Sequence, residues 1–263
     1  MKRFISTISL VLLCVVAFAQ ENTKTGIMLE NEHKIVVEAR RSSMNFDEIE
    51  VANAIRLIVE ERNDGNIIVR APQSVLPFVS LEVKDGTLYA RLLAGAPVHR
   101  NSNLAAEVYI PYNGRIKEIE TRSAARVVVK PTLVAEEVDL KASSASTIEV
   151  KLSSGELDAE LSGASTMELS GAVAKADIEA SSASTLHASK LQVTHLELEC
   201  SSASTAEVSA VIAEVEASSV STINMECSKQ LNASASSGSS INYSGDCQVI
   251  KQSSTGASSI NKK

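Results

Sequence analysis

Three glutamates recur at nearly regular intervals and are the residues best placed for cation chemistry. Glu149 and Glu168 occupy the same place in successive repeats of the sequence, and Glu207 occupies it two repeats later. If each repeat is one coil of a stack of parallel strands, the first two carboxylates stand about 5 Å apart. Stacked carboxylates either repel each other through solvent or recruit a hard cation such as Ca²⁺. The glycine-rich nonapeptides of calcium-binding β-rolls are missing, so the sequence favours a solvated face and leaves a weak calcium site as a hypothesis.

The residues that usually carry enzyme chemistry form no recognisable set. His33, His99, His187 and His195 have neither the spacing of a zinc site nor a neighbouring cysteine pair. The chain has no G-x-S-x-G nucleophile elbow, and Ser259–Lys262 matches S-x-x-K only as chance allows in a serine-rich tail. The sequence therefore predicts a non-enzymatic protein without a cofactor.

The cysteines offer one covalent link. Besides Cys14 near the N-terminus, the chain carries Cys200, Cys227 and Cys247, so at least one stays unpaired or pairs between chains. Cys200 falls in an alternating apolar pattern and is expected to be a small buried side chain. Cys227 and Cys247 lie about one coil apart in the sequence, which could bring them within disulfide distance. We treat the Cys227–Cys247 bridge as a hypothesis.

A serine-rich phrase defines the architecture that must position these residues. Variants of Ser-Ser-Ala-Ser-Thr, followed by an apolar-polar-apolar triplet, occur eight times, and this regular recurrence predicts a stacked solenoid. Small side chains let successive corners stack about 4.8 Å apart, and serine hydroxyls can satisfy corner backbone groups. The copies begin at Arg122, Ser143, Ser162, Ser181, Ser201, Ser218, Ser236 and Thr255.

The residues around each phrase alternate with the period of a β-strand. Apolar or small residues hold every second position before the phrase, as in Leu157, Ala159 and Leu161. A second apolar pair follows it, as in Ile148 and Val150, and acidic residues between these positions are expected to point outward. The sequence predicts an all-β fold, a single-stranded parallel β-helix. Its coils of about 19 residues would each supply two strands and a connection.

The N-terminus predicts export. Lys2 and Arg3 precede an uncharged apolar run that ends at Phe18, so residues 1–19 match a secretory signal peptide. The run is short for a membrane span, and we expect no transmembrane segment in the mature chain. Loss of Lys2 and Arg3 changes the formal charge from −7 to −9, which argues against nucleic acid as a partner. We expect the protein in the periplasm, on the outer-membrane surface or outside the cell.

The mature chain divides into a weakly determined N-terminal segment and one solenoid. Residues 20–45 carry no strong signal, although their IVVEARR stretch could add a strand. Residues 46–263 are expected to form a single β-helix domain. Irregular N-terminal coils or hairpins are predicted at 46–121, where Asp-Gly pairs mark tight turns, and the serine-type repeats at 122–263.

Several segments, in their order, resemble a known bacterial family. They are FDEIEVANAIRLIVEE, VKDGTLYARL, VYIPYNGRIKEIETRSAARV and the repeats LSGASTMEL and ASSASTLHA. Together they are similar to the auto-transporter adhesin head GIN domain family of Bacteroidetes-type bacteria, a domain of unknown function. The resemblance covers most of the mature chain and implies a right-handed parallel β-helix, a secreted or envelope location and a role in adhesion. It implies no catalytic residues.

These features predict a secreted, non-enzymatic envelope or cell-surface protein, an adhesin or interaction module for a glycan or a protein. A polysaccharide-active enzyme and a carbohydrate-binding β-helix remain alternatives. The enzyme usually needs acidic residues beside Lys or Arg in one groove, and basic residues are few in the repeats. Carbohydrate binding is disfavoured because the chain has no Trp. Aromatic residues that could form a binding surface lie before the repeats, at Phe78, Tyr89, Tyr109 and Tyr112.

Overall fold

The structure, a computed structural model, describes residues 35–41, 45–97 and 106–263. The predicted signal peptide at 1–19 and most of the segment 20–45 lie outside the described residues. The strands form one 17-stranded sheet that coils on itself as a β-solenoid of about 8 turns. The first strands are β1 (Ile35–Arg41), β2 (Glu48–Ala52), β3 (Arg56–Glu60), β4 (Asn66–Pro72), β5 (Val79–Lys84), β6 (Thr87–Leu92), β7 (Glu107–Pro111) and β8 (Glu118–Arg122), with a 3-10 turn at Leu76–Phe78. The remaining strands are β9 (Arg126–Ala142), β10 (Thr147–Leu161), β11 (Thr166–Ala180), β12 (Thr185–Cys200), β13 (Thr205–Ala217), β14 (Thr222–Ala235), β15 (Ser240–Ser244), β16 (Gln248–Ser254) and β17 (Ser259–Lys262).

Each central repeat forms one long strand instead of the two short strands that the sequence predicted. β10 and β11 pair in parallel from Thr147↔Thr166 to Leu161↔Ala180 in a single register. The pairing continues through the middle of the coil because neighbouring coils bend at the same place. Strands β9 to β14 stack in this way, which confirms the parallel solenoid with its predicted coil length.

The predicted inward columns form the core of the solenoid. Leu157, Ala159 and Leu161 are at most 2% exposed, and Ile148 and Val150 are buried on the other side of the same coil. One continuous apolar cluster extends along the stack from the N-terminal coils to the last ones. Removal of this surface from water is the main driving force for stacking the coils.

Coils turn at two consecutive residues with left-handed backbone, here called a corner pair. Their φ angles lie between 50° and 76°. The amide of the second residue donates to the carbonyl of the first corner residue in the next coil, as Ala183 does to Ser202 at 2.9 Å. Left-handed backbone costs an L-residue about 1–2 kcal/mol, so these bonds offset a real strain. The corner pairs are Asn53-Ala54, Ser123-Ala124, Ser144-Ala145, Gly163-Ala164, Ser182-Ala183, Ser202-Ala203, Ser219-Val220, Ser237-Gly238 and Gly256-Ala257.

The fourth residue of every phrase after the first copy is a serine, and in six of these copies it points into the coil. The Ser204 hydroxyl donates to the carbonyl of Ala180 at 2.9 Å, and the same carbonyl accepts the amide of Ser201 at 2.9 Å. Both lone pairs of this buried carbonyl are therefore satisfied. The sequence predicted serine hydroxyls on corner backbone groups, and the structure assigns that bond to the fourth position. The fully buried members are Ser146, Ser165, Ser184, Ser204, Ser221 and Ser239.

The stacking order of the first coils differs from their order in the chain. β2, the corner pair Asn53-Ala54 and β3 make one coil. β2 pairs in parallel with β6 on one side and β8 on the other, and β3 likewise lies between β7 and β9. The first coil in sequence thus sits between two coils formed by later residues. The region 46–121 that the sequence described as irregular contains a regular corner.

Antiparallel strands cover the N-terminal end of the stack. β5 and β6 form a hairpin whose turn is Asp85-Gly86, both with positive φ. β4 pairs antiparallel with β7, and β1 pairs antiparallel with β4. These strands cover the hydrogen-bonding edge of the first parallel coil, as hairpins predicted to cap the solenoid should.

In the coil made of β16 and β17, the inward columns are no longer entirely apolar. Several of its inward positions are polar, whereas the preceding coil has apolar residues there. Gln252 and Ser254 stand in register with Ala233 and Ala235, and Lys262 stands in register with Tyr243.

Candidate functional site

A groove of about 540 Å³ runs across five neighbouring coils on the outer face of β9 to β13. We call it the charged groove, because glutamates line one wall and lysines the other. Most of its floor consists of strand segments paired on both sides, with interruptions at the bulges near Lys130 and Lys190. The lining residues are Val128, Val129, Lys130, Glu149, Val150, Lys151, Glu168, Leu169, Ser170, His187, Ser189, Lys190 and Glu207.

The acidic wall contains the three glutamates that the sequence singled out. Parallel pairing aligns Glu149 with Glu168, Glu168 with His187, and His187 with Glu207. The guanidinium of Arg126 donates to Glu149 at 3.0 Å, and Nδ1 of His187 lies 3.3 Å from a carboxylate oxygen of Glu207. Among the described residues, Glu168 has no cation within 4.0 Å. The column is therefore a mixed polar row with one unpaired carboxylate.

This arrangement bears on the calcium hypothesis for Glu149, Glu168 and Glu207. Within the described ranges no group of three or more His, Cys, Asp or Glu side chains is placed to hold a metal ion. Parallel stacking gives one carboxylate per coil, and a guanidinium already occupies Glu149. Calcium binding at this wall stays a prediction of the sequence.

The basic wall was not foreseen from the sequence. Lys151, Ser170 and Lys190 stand in one register, and neither lysine has an anion within 4.0 Å among the residues described. Lys130 at the end of the wall bonds to Glu60. Glu149 and Lys151 are next-but-one neighbours on one strand, which separates the walls by about 7 Å.

Extra residues in two coils determine the position of two lysines in the basic wall. The register of β9 against β10 shifts at Val150/Lys151, and that of β12 against β13 shifts after Ala188. Lys130 and Lys190 stand on the inserted residues, where a bulge bends the strand. The signal in the sequence was the longer interval between phrases in these two coils, which run from Arg122 to Ser143 and from Ser181 to Ser201.

A second face of the solenoid is strongly acidic and, within the described chain, carries no matching basic column. Two neighbouring columns of carboxylates extend over four coils. Burial raises the pKa of the Glu199 carboxyl above its usual range, and the stacked carboxylates of Glu216 and Glu179 raise this pKa further. The side chains are Asp158, Asp177, Glu197 and Glu214 in one column and Glu160, Glu179, Glu199 and Glu216 in the other.

The cysteines lie where the sequence placed them. Cys200 is 2% exposed in an inward column, and burial raises the pKa of its thiol to about 12. Cys227 and Cys247 are both buried and carry free thiols. The pKa of the Cys227 thiol is raised to about 11, mainly by burial and secondly by the contacting Cys247 side chain. The Cys227–Cys247 disulfide stays a proposal, with the two side chains in contact.

The aromatic residues before the repeats are tied to the scaffold. The Tyr109 hydroxyl donates to Glu107 at 2.8 Å, and burial raises the pKa of Tyr109. The Tyr112 hydroxyl accepts the amide of Val134 at 3.3 Å. Phe78 and Tyr89 are half-buried, so part of each ring packs against the scaffold and part is exposed to solvent.

Comparison with known proteins identifies the family. The family model described as "Putative auto-transporter adhesin, head GIN domain" matches residues 45–219, which is more than half of the chain. The chain belongs to this family. The resemblance noted in the sequence is thereby confirmed, and the match ends within the corner pair Ser219-Val220. No curated protein matches the sequence of this chain.

Solved structures share the fold at low sequence identity. A "putative adhesin" from Parabacteroides merdae is 16% identical, with a TM-score of 0.77 over 88% of this chain and 96% of that one. A "putative adhesin" from Parabacteroides distasonis is 18% identical, with a TM-score of 0.76 over 89% and 98%. A "Putative lipid binding protein" from the same species is also 18% identical, with a TM-score of 0.70 over 89% and 98%. In the described part of the chain, no helix has the length and hydrophobicity of a membrane span.

Proposed function

We propose that the protein is an exported adhesin, a non-enzymatic binding module at the cell surface. The observation that carries this proposal is the charged groove, a polar concavity that extends over five stacked coils. Solenoids present long concave surfaces of this kind to extended partners. Membership of the adhesin head family and the signal-like residues 1–19 support the same proposal.

An enzyme that cleaves polysaccharides is the competing function. One coil separates Glu149 from Glu168, close to the carboxylate spacing of about 5 Å in retaining glycosidases. The general acid in such enzymes needs apolar surroundings that raise its pKa. Glu168 is exposed and Arg126 bonds to Glu149, so both carboxyls suit binding better than hydrolysis.

Localisation in the producing bacterium tests the first half of the proposal. We expect the protein in the envelope fraction and accessible to a membrane-impermeant biotin reagent on intact cells. A variant lacking residues 2–19 should stay in the cytoplasm and escape labelling. Cytoplasmic location of the unaltered chain would contradict the proposed function.

Adherence tests the second half. Cells that lack the gene should adhere less to immobilised glycans and matrix proteins, and the purified mature chain should compete with wild-type cells. A reducing-sugar assay on mixed polysaccharides distinguishes the adhesin from the competing polysaccharide-cleaving enzyme. Release of new reducing ends that disappears in a Glu168→Gln variant would replace the adhesin with an enzyme.

A further inference from the structure

We propose that the charged groove binds an uncharged carbohydrate chain that lies parallel to the solenoid axis. This deepens the proposed function and rests on it, because it names the partner that the adhesin would hold. Four observations support it: the balance of charge in the groove, its length, its unpaired polar groups and the pairing of most of its floor on both sides.

The charge balance selects against ligands of one sign. The acidic wall, with Glu149, Glu168 and Glu207, would repel a polyanion. The basic wall, with Lys151 and Lys190, would repel a polycation. The two walls run side by side along the groove, so a charged polymer cannot contact one without the other. A ligand without net charge avoids both penalties.

The length and direction of the groove suit a linear polymer. Five coils at about 4.8 Å per coil give about 19 Å along the axis. The regular coils offer two outward positions, one on either wall, as Glu149 and Lys151 do in β10 and Glu168 and Ser170 do in β11. A chain of similar units laid along the axis would meet similar side chains at each step.

The unpaired groups match the chemistry of sugar hydroxyls. A hydroxyl donates one hydrogen bond and accepts others, a carboxylate only accepts, and an ammonium group only donates. Glu168 on one wall and Lys151 and Lys190 on the other lack ion-pair partners among the described residues. Neighbouring hydroxyls of a sugar can therefore bond to both walls at once.

Peptides fit the same groove less well. Extended peptides are usually recognised by addition to a sheet edge, by apolar grooves or by aromatic rings. Here most of the floor is paired on both sides, with interruptions at the bulges near Lys130 and Lys190, and no Phe, Tyr or Trp is among the described residues that line the groove. A lining without the large aromatic rings also predicts weak binding by a single site, with a Kd in roughly the millimolar range.

Binding of the full mature chain to an array of neutral and acidic glycans, followed by NMR titration, tests the proposal. We expect neutral oligosaccharides of four to six units to shift amide signals of residues 149–151, 168–170 and 187–190. The Kd should change less than about twofold between roughly 50 and 500 mM NaCl, because a neutral ligand gains nothing from screened charges. Binding confined to acidic glycans, or a strong salt dependence, would overturn it.

Variants locate the site. Glu168→Gln combined with Lys190→Gln should weaken binding by tenfold or more. Glu179→Gln, on the acidic face, is the matched control and should leave the Kd unchanged. Equal loss in both variants, binding only to proteins or peptides, or no binding to any neutral glycan contradicts the proposal. Surface display and adherence that persist in the groove variant would reject the groove and leave the adhesin function standing.

Discussion

The serines of the repeated phrase have two different structural roles. The second serine, as in Ser202, is exposed and has left-handed backbone in the corner pair. The third serine, at the fourth residue of the phrase, as in Ser204, is 1% exposed and bonds to a carbonyl of the preceding coil. One residue type thus supplies either small size or a hydroxyl, according to its position in the turn.

Replacement of single serines should separate these roles. Ser204→Ala removes the buried hydroxyl bond and should lower the free energy of unfolding by about 1 kcal/mol, since the Ala180 carbonyl keeps its backbone partner. Ser202→Ala is the matched control and should change it by less than about 0.5 kcal/mol. Urea unfolding of both variants measures the difference, and equal values would contradict the assignment.

The Cys227 and Cys247 thiols should form a disulfide in an oxidising compartment. Two thiols would lose two protons and two electrons to a disulfide-bearing oxidant, which becomes a dithiol as the Sγ–Sγ bond forms. Closure of a loop of this length stabilises the fold by about 3 kcal/mol. Reduction should therefore lower the melting temperature of the wild type and not that of a Cys227→Ser/Cys247→Ser variant.

The number of reactive thiols tests directly whether the Cys227–Cys247 disulfide forms. The unfolded, unreduced mature protein, which lacks Cys14, should expose one reactive thiol, Cys200, and a Cys200→Ser variant should expose none. Three reactive thiols in protein isolated from the envelope would contradict the bridge.

Among the structural elements, the corner at Ser219-Val220 departs from the rest. Every other described corner pair ends in Ala or Gly, whereas Val220 is β-branched, has φ of 69° and is 69% exposed. A β-branched residue is a rare occupant of left-handed backbone. Val220 therefore carries strain that little burial offsets.

Relief of this strain should stabilise the protein. Val220→Ala should raise the free energy of unfolding by about 1 kcal/mol. The reverse change in an equivalent corner, Ala183→Val, should lower it by a similar amount. Denaturant unfolding of both variants checks the pair, and a destabilised Val220→Ala would show that Val220 makes a contact that outweighs the strain.

The acidic face should make stability depend on pH. Because the pKa of Glu199 is raised in the folded state, folding favours its protonated form. That contribution is present below the ordinary pKa of glutamic acid and is lost as the pH rises through the raised value. Acidification from pH 7 towards the ordinary pKa of glutamic acid should raise the melting temperature, and Glu199→Gln should weaken this dependence on pH. A slope unchanged by the substitution would contradict the cause.

The repeated elements were predictable because their signals recur. Each inward column and each serine phrase is supported by its neighbours one period away. The corner at Asn53-Ala54 was missed because its stacking partner, Ser123-Ala124, lies several coil lengths further along the chain. The basic wall was missed because two of its lysines, Lys130 and Lys190, stand on inserted residues that fall outside the repeat period. Which surfaces face each other depends on such irregularities.

At the scale of the whole molecule, the two ends of the stack differ. Antiparallel strands cover the N-terminal end, while β16 and β17 pair on one side only in the described chain. Gln252 and Lys262, which stand in register with inward residues of the preceding coil, and Lys251 are all exposed, and they make that edge a poor template for another strand. Association of two solenoids through this edge is therefore not expected.

Removal of the polar groups should create an end-to-end contact. Gln252→Val combined with Lys262→Val presents an apolar coil with free hydrogen-bonding groups, and we expect dimers at micromolar concentration by light scattering. Lys151→Val/Lys190→Val adds two valines on a side wall instead, so it is the control and should stay monomeric. A wild-type dimer formed through the unaltered edge would contradict the expectation.

The position of the first coil between later ones dictates when it can form. Glu48 meets its partner Glu118 only after the whole intervening segment has been made, and Asn53-Ala54 must wait for Ser123-Ala124 in the same way. A chain that emerges N-terminus first, from a ribosome or through a membrane, cannot assemble the solenoid from its leading end. Contacts of such long range close slowly. We expect the serine-type coils, whose partners are one period apart, to stack before the first coil is complete.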